Sequence, residues 1–270
     1  MRSISLRFSL VCFVALLVGP ISSAHAQFVY SSGEDRFDRL RLTGLIWVGE
    51  LSGTVGADAI GELPPVIDVK DQFGISNRDA GWLLEGNLGA GKRHRLLFAA
   101  SGRENTSDTT VNVQVEVGGT PVDLDVPVGT SLKISEFRGS YNLLVVANPR
   151  AELGLLAGIG YFDFEGLLQT PLGDFTEELS TPYPSLGGNL LVNPVGRVRA
   201  YAEVTGFPNV TVEEFTGSLL DFNARVELFP IPNLGLLAGY RSYHLVFDER
   251  EQFSFDLRWT GFIVGGQVRF

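Results

Sequence analysis

Apolar and polar residues alternate along most of the chain beyond residue 40. The clearest example lies at 219–228, where one set of alternating positions is apolar and the other is charged or amide-bearing. The apolar set is Leu220, Phe222, Ala224, Val226 and Leu228, and the polar set is Asp221, Asn223, Arg225 and Glu227. Successive side chains of a β-strand point to opposite faces, so this pattern predicts strands with one apolar and one polar face. No stretch shows convincing helical periodicity.

Turn-forming residues divide this alternation into strands. Short connections rich in Pro, Gly or Asn lie at 91–94, 148–150, 193–196 and 230–233. They alternate with long polar connections at 56–79, 103–130, 166–183, 207–214 and 247–252. This rhythm predicts an all-β fold, a closed antiparallel up-and-down barrel of about ten strands. Eight strands is the alternative count, if 184–192 and its partner are poorly formed.

The predicted strands are 41–55, 80–90, 94–102, 131–147, 151–164, 184–192, 197–206, 215–229, 234–246 and 253–270. Because the number of strands is even, the first and the last strand have their free ends on the side of the barrel with the short connections. The long connection at 103–130 has its own alternation, "VNVQVEV", then Gly118-Gly119, then "TPVDLDVPV". We expect this segment to form a hairpin that extends beyond the barrel wall or folds over its mouth.

The first residues predict export. Arg2 and Arg7 precede or flank the start of an apolar run from Leu10 to Val18, and Ala24-His25-Ala26 has the A-x-A pattern of a cleavage site. The run is too short to cross a membrane as a helix, so it predicts a secretory signal peptide at 1–26 that is cleaved. The only cysteine, Cys12, lies within it, so the mature chain has no disulfide.

The charge balance argues against a nucleic-acid partner. Without the two arginines of the predicted signal, 19 basic residues oppose 31 acidic ones, a net charge of −12. Nucleic-acid binding requires a basic surface instead. The mature chain also has no run of 18 or more apolar residues, so we expect no membrane-spanning helix in it. In hydrocarbon, only helices and closed barrels pair all their backbone groups.

The signal peptide, the alternation of short and long connections and the terminal strand "FIVGGQVRF" resemble the small outer-membrane β-barrel proteins of Gram-negative bacteria. The resemblance implies an N-terminal periplasmic segment at 27–39, a barrel at 40–270 and contact with outer-membrane lipids and lipopolysaccharide. It also implies that an apolar last strand ending in Phe is recognised by the barrel-assembly machinery. Here that signal is Phe262, Val264, Val268 and Phe270. We expect a monomer that binds no metal or cofactor.

A secreted soluble barrel that holds a ligand, similar to a lipocalin, is the rival fold. Its apolar faces would have to point inward. Side chains already fill the interior of an eight-stranded barrel, and ten strands enclose only modestly more space. The many Trp, Phe, Tyr and Leu side chains of the apolar faces would therefore overfill it if they pointed inward.

The apolar faces are therefore expected to meet lipid, including Leu45, Trp47, Leu51 and Val55 of the first strand. Aromatic residues are expected at the two membrane boundaries: Trp47, Trp82, Phe137, Tyr141, Tyr161, Tyr240 and Phe270. The last strand is irregular, because its apolar residues are odd-numbered over 253–259 and even-numbered from Phe262. Either a bulge near Gly261 exchanges the faces, or 253–259 lies outside the lipid.

The opposite faces are expected to line the lumen. The residues placed there are Glu50, Glu85, Glu136, Arg138, Arg199, Glu203, Asp221, Arg225, Glu227 and Arg241. Because both signs of charge occur, we expect a network of paired charges that fills the interior. A narrow conduction path lined by these groups is the alternative, and a substrate site is the third possibility.

His244 is the candidate catalytic residue, with Ser242 and Asp248 close in sequence. The resemblance to small outer-membrane barrels implies where a catalytic site would lie, because the enzymes of that class look dependent on a His beside Ser, Asp or Glu near the outer rim. His244 shares its parity with Tyr240, however, and is therefore expected to face outward at the headgroup level. His94 belongs to a short turn. No motif of those enzymes and no metal-binding spacing is present.

The two ends of the barrel are expected to differ in charge. The short connections are basic, with Lys92, Arg93, Arg95, Arg150 and Arg197. The long connections are acidic, with Asp58, Glu62, Asp68, Asp71, Asp174, Glu177, Glu178, Glu213, Glu214, Asp248, Glu249 and Glu251. Divalent cations could bridge these carboxylates to lipopolysaccharide phosphates. A structural or surface-interaction protein is the first functional hypothesis, a narrow channel or small-solute transporter the second, and an envelope lipid-modifying enzyme the third.

Overall fold

The computed structural model describes residues 39–57, 66–70, 79–117, 120–171, 173–212, 215–249 and 253–270. The predicted signal peptide and residues 27–38 lie outside the described residues. Within the described part, no helix is long and apolar enough to span a membrane. The strands are β1 (Leu40–Ala57), β2 (Val66–Asp68), β3 (Asp79–Gly89), β4 (His94–Val117), β5 (Thr120–Ala147), β6 (Ala151–Thr170), β7 (Gly173–Val195), β8 (Val198–Val212), β9 (Phe215–Ile231), β10 (Leu234–Glu249) and β11 (Phe253–Arg269).

Ten of these strands close into an antiparallel barrel, which confirms the predicted fold. Neighbours along the chain are neighbours in the sheet, and β1 closes the circle by pairing with β11 from Arg41↔Arg269 to Ala57↔Phe253. The eight-strand alternative is wrong, because β7 and β8 both form and pair. The short β2 is the eleventh strand of the sheet and pairs with β1 only at Thr54–Gly56.

The two ends of the barrel differ in their connections. The connections 90–93, 148–150, 196–197 and 232–233 lie at one end, here called the turn end. The start of β1 and the end of β11 also lie there, where the Phe270 N–H donates a hydrogen bond to the Leu40 carbonyl at 2.9 Å. We call the opposite end the hairpin end.

The hairpin end is more regular than the sequence suggested. β4 and β5 pair continuously up to Val117↔Thr120, and β6 and β7 pair up to Thr170↔Gly173. The hairpin expected within 103–130 is therefore present as an extension of β4 and β5, whereas 166–183, expected as a long polar connection, is mostly strand. The alternation noted in "VNVQVEV" belongs to the continuation of this pairing.

An apolar belt surrounds the half of the barrel nearest the turn end. Its outward side chains are exposed and almost all apolar, and on β11 it covers about nine residues, from Phe262 to Phe270. A tilted strand of about nine to eleven residues is long enough to cross the hydrocarbon of a bilayer. Exposed aromatic residues mark the edge of the belt toward the hairpin end: Trp82, Phe137, Tyr161, Tyr240 and Phe262.

Beyond the belt the apolar side chains point inward instead. Phe255, Leu257 and Trp259 of β11 are buried in a core at the hairpin end, whereas Phe262 and Val264 of the same strand are exposed. The pairings of β11 with β1 and β10 run through this region without a shift of register, so the first of the two alternatives for this strand, a bulge near Gly261, is wrong. Side chains of β11 keep alternating between the inner and outer faces along the whole strand. The apolar residues occupy the outer face within the belt and the inner face beyond it.

The same change of face corrects the first strand. Leu45, Trp47, Leu51 and Val55 were expected to face lipid. The first three are only 3%, 5% and 0% exposed and point into the barrel, and Val55 is partly buried against the same core. Ile46 and Val48, between them, belong to the outer belt. Trp47 is therefore a residue of the interior and not of an aromatic boundary.

Candidate functional site

Nine of the ten predicted lumen residues point into the barrel. Eight of them, from five strands, take part in ion pairs or hydrogen bonds there: Glu85, Glu136, Arg138, Glu203, Asp221, Arg225, Glu227 and Arg241. The ninth, Arg199, lies nearer the turn end with its guanidinium 5.0 Å from the centre of the Phe229 ring. Glu50 is the exception. It is exposed on the outer wall just beyond the belt, across from Thr260, so its predicted place in the lumen is wrong.

Asp221 is the centre of the first ionic cluster. Arg241 donates two hydrogen bonds to its carboxylate, at 2.9 and 3.0 Å. Arg138, reaching across from β5, lies 3.3 Å from the same carboxylate and donates to Glu203 at 2.9 Å. Two guanidinium groups therefore share one carboxylate, and four strands are joined through the lumen.

Glu136 extends this cluster toward the hairpin end. Its carboxylate accepts hydrogen bonds from the Tyr183 hydroxyl and, at 3.5 Å, from Ser101, and it lies 3.6 Å from Arg241. The Tyr183 ring can reach it because its cross-strand partner is Gly160, where any Cβ would overlap the ring. In the sequence, the only sign of this contact is Gly160 within the mostly apolar β6.

Arg225 is the centre of a second cluster nearer the turn end. It lies 2.7 Å from Glu85 and 3.2 Å from Glu227, and its guanidinium stacks on the Tyr201 ring at 4.4 Å. Asn223 also donates to Glu85, at 3.3 Å. The Arg225–Glu85 pair joins β9 to β3, which are four strands apart around the wall.

Sequence reasoning missed several interior residues. The Trp47 ring lies between two guanidinium groups, with Arg241 at 4.6 Å and Arg103 at 5.7 Å from its centre. Arg95, expected in a basic turn, is buried and pairs with Glu152 at 2.6 Å. The parity of β4 could have identified both arginines, but Arg103 was placed in a connection rather than in a strand.

Little space remains between these side chains. Two cavities of about 20 Å³ each lie within the lumen, one beside Glu85 and Arg138 and one beside Trp47 and Arg241. Each is large enough for about one water molecule. Toward the hairpin end, the Phe255 ring stacks on Phe164 and Phe247, both at 5.3 Å, within the apolar core.

Comparison with solved structures identifies the fold. The outer membrane protease OmpT from Escherichia coli superposes with a TM-score of 0.54 at 12% identity, over 85% of this chain and 97% of that chain. Weaker matches include Ail of Yersinia pestis, solved with the heparin analogue sucrose octasulfate (TM-score 0.37, 11% identity, 86% and 99% of the two chains). Another is the translocator domain of the autotransporter NalP from Neisseria meningitidis (0.43, 12%, 87% and 90%).

The chain has the fold of an outer-membrane β-barrel. No family model matches it, and no curated protein matches its sequence. The resemblance expected from the sequence is therefore confirmed at the level of this class, and no single family is identified.

The candidate catalytic residue lies outside the barrel. His244 faces outward, and its Nε2 atom lies 2.8 Å from a carboxylate oxygen of Asp256 on the neighbouring strand, not from Asp248 as the sequence suggested. His94 contacts the Tyr141 hydroxyl at the turn end. Within the described residues, no group of three or more His, Cys, Asp or Glu side chains is placed to hold a metal ion.

Proposed function

We propose that this protein is an integral outer-membrane barrel with a closed interior, and that its role is structural or depends on its outer surfaces. The filling of the lumen carries this proposal. The ionic clusters join strands on different sides of the wall, and the cavities beside them are the size of single water molecules. A hydrated ion or solute would have to displace several mutually paired charges and the aromatic core beyond them.

Electrostatics makes such displacement costly. Arg138, Arg225 and Arg241 are almost fully buried, and each contacts at least two carboxylates. Separating buried partners leaves charges without compensation in a medium of low dielectric constant. The network is therefore better suited to fixing the barrel wall than to conducting, and we place the narrow-channel hypothesis second.

Planar-bilayer recording tests the closed interior. We expect the inserted wild-type protein to give no conductance steps, because the paired charges of the two ionic clusters occupy the lumen. Steps that are abolished or rectified when Arg138 and Arg225 are replaced by Gln would contradict the proposal and favour the channel. Insertion itself is checked in the same preparation by heat-modifiability, since a closed barrel stays folded in cold detergent and unfolds on boiling.

The apolar belt supports insertion into lipid. Val226 is an outward residue at the middle of the belt on β9, and Ser218 is an outward residue of the same strand beyond the belt. We expect Val226→Arg to lower the free energy of unfolding by about 2–4 kcal/mol, because arginine at the midplane of a bilayer loses its hydration. Denaturant titration of the barrel in liposomes measures this effect.

Ser218→Arg is the matched control. It places the same side chain on the same face of the same strand, where water already surrounds the wall, so we expect a change below about 0.5 kcal/mol. Equal effects of the two substitutions would show that the belt does not lie in hydrocarbon.

The polar ends suggest an orientation. Lys92, Arg93, Arg150 and Arg197 are exposed at the turn end, while described acidic residues beyond the belt are exposed toward the hairpin end: Asp163, Glu165, Asp174, Glu178, Asp248 and Asp256. We place the hairpin end outside the cell, where these carboxylates would meet lipopolysaccharide phosphates through divalent cations. Phe262, Val264, Val268 and Phe270 are all exposed along β11, which suits the proposed recognition by the assembly machinery.

A further inference from the structure

A column of three chemically active side chains runs up the outer wall where the apolar belt ends. Ser242 and His244 are successive outward residues of β10, and Asp256 projects outward from β11 beside them. Moving toward the hairpin end, the order is Ser242, His244, Asp256. His244 therefore lies between a hydroxyl and a carboxylate.

The hydrogen bond to Asp256 determines which ring nitrogen of His244 is free. The Nε2 atom lies 2.8 Å from Asp256, so a neutral ring donates its Nε2 proton there and keeps a lone pair on Nδ1. Nδ1 is the ring nitrogen nearer the main chain, and Ser242 is the preceding outward residue of the same strand. Within the described structure the Ser242 hydroxyl has no hydrogen-bond partner, so it is free to turn toward Nδ1 when a substrate binds.

The depth of the column corresponds to that of a lipid ester. Ser242 is the next outward residue after Tyr240, and its cross-strand partner Thr260 is the next after Phe262. Tyr240 and Phe262 belong to the aromatic edge of the belt, which lies at the membrane interface. The acyl ester bonds of a phospholipid lie at this level, between the hydrocarbon and the headgroups.

Two apolar grooves on the same wall lie beside this column. One of about 820 Å³ is floored by small residues, Ala202, Ala224 and Ala238 among them, and reaches Tyr240 and Phe262. Another of about 460 Å³ runs past Leu186 and Leu220 to His244 itself. Both are open hollows on the outer surface, lined mainly by apolar side chains. Because both hollows lie on or beside the apolar belt, lipid acyl chains would lie next to them in a membrane.

We propose that this outer surface is an acyl-ester hydrolase site for membrane phospholipids. Ser242 Oγ attacks the ester carbonyl carbon while His244 Nδ1 takes its proton, and Asp256 stabilises the resulting imidazolium. The carbon–oxygen bond to the glycerol breaks, and the leaving alkoxide receives the proton from Nδ1. Water then attacks the acyl-serine with His244 again as base, which releases a fatty acid and restores Ser242.

Two further side chains could bind the developing negative charge. Thr260 pairs directly with Ser242 across the sheet, and Arg258 pairs directly with His244. No ion pair or hydrogen bond of the Arg258 side chain is present among the described residues, so its guanidinium is available to the carbonyl oxyanion or to a headgroup phosphate.

The test uses the full-length barrel in mixed micelles with diacyl phosphatidylethanolamine. We expect release of free fatty acid and lysophospholipid in equal amounts, and covalent labelling of Ser242 by a fluorophosphonate, located by mass spectrometry of peptides. Ser242→Ala should abolish the label and lower the rate at least about 100-fold, because the nucleophile is gone. Asp256→Asn should lower kcat at least about tenfold with little change in KM.

Ser180→Ala is the matched control. Ser180 is also an exposed outer-wall serine, hydrogen-bonded to Asp163, but no histidine joins that pair among the described contacts. We expect its rate and labelling to equal those of the wild type. An unlabelled Ser242, or fatty-acid release that survives Ser242→Ala, would overturn the site.

This inference rests on the proposed insertion into the membrane, and the two can fail separately. Heat-modifiability is recorded on every sample. If the barrel is heat-modifiable yet neither labelled nor active, the hydrolase site is refuted and the closed barrel stands. If heat-modifiability is absent from the wild type, both proposals are refuted.

Discussion

Replacing Arg241 by alanine is expected to lower the free energy of unfolding by about 3–5 kcal/mol. Its side chain is 2% exposed, donates two hydrogen bonds to Asp221 and lies 3.6 Å from Glu136. The substitution leaves a buried carboxylate with fewer donors. It also removes the cation that stacks on the Trp47 ring at 4.6 Å. Denaturant titration of the liposome-inserted barrel, followed by tryptophan fluorescence, measures the loss.

Two further variants separate this explanation from a general effect of losing an arginine. Arg258→Ala removes an exposed arginine from the neighbouring strand and should change the unfolding free energy by less than about 0.5 kcal/mol. The double variant Arg241→Ala, Asp221→Ala removes both partners and leaves the Arg138–Glu203 pair in place. We expect it to cost less than the sum of the single variants by about 0.5–3 kcal/mol. Strict additivity would show that Arg241 and Asp221 do not depend on one another.

The ionic clusters were predictable because their strands alternate cleanly. In β9, Asp221, Arg225 and Glu227 each lie between apolar residues, and a parity of this kind assigns the inner and outer faces without knowledge of the fold. The pairing partners were not predictable. Glu85 meets Arg225 from four strands away around the wall, a proximity that depends on the stagger of the closed barrel and not on any local pattern.

The assignment of faces failed where the surroundings of a strand change along its length. An apolar residue at alternate positions indicates that one face is buried, but it does not say whether lipid or protein covers that face. In β1, Ile46 and Val48 lie in the outer belt, while Trp47 and Leu51 belong to the interior. Both parities are apolar at the crossover, so the sequence alone could not show which set faces outward.

The proposed outer-wall site was only partly visible in the sequence. Ser242 and His244 were recognised together because they lie two residues apart. Asp248 was then the nearest acidic neighbour in the sequence, whereas Asp256 is the partner in the structure. That contact depends on the β10–β11 register, in which Val246 pairs with Asp256 and brings it diagonally next to His244. A sequence without an assigned register does not contain this information.

Phe255→Ala is expected to destabilise the barrel by about 3–5 kcal/mol through the core at the hairpin end. The ring is 2% exposed and lies within 5.3 Å of Phe164 and Phe247 and 6.5 Å of Phe162, measured between ring centres. Alanine leaves a cavity among rings held by two other strands, β6 and β10, and those rings can collapse only partly to fill it. Unfolding in denaturant, measured in liposomes, gives the change.

Phe262→Ala is the control, because it is the same substitution on the same strand with the opposite orientation. Phe262 is 72% exposed in the belt, where lipid chains can fill the space that its ring vacates. We expect less than half the effect of Phe255→Ala, mainly from losing the edge-to-face contact with Tyr240 at 5.9 Å. If Phe262→Ala proved the more damaging of the two, the apolar residues would not change face along β11. The aromatic core at the hairpin end would then not be tightly packed, and the proposed closed interior would lose its support there.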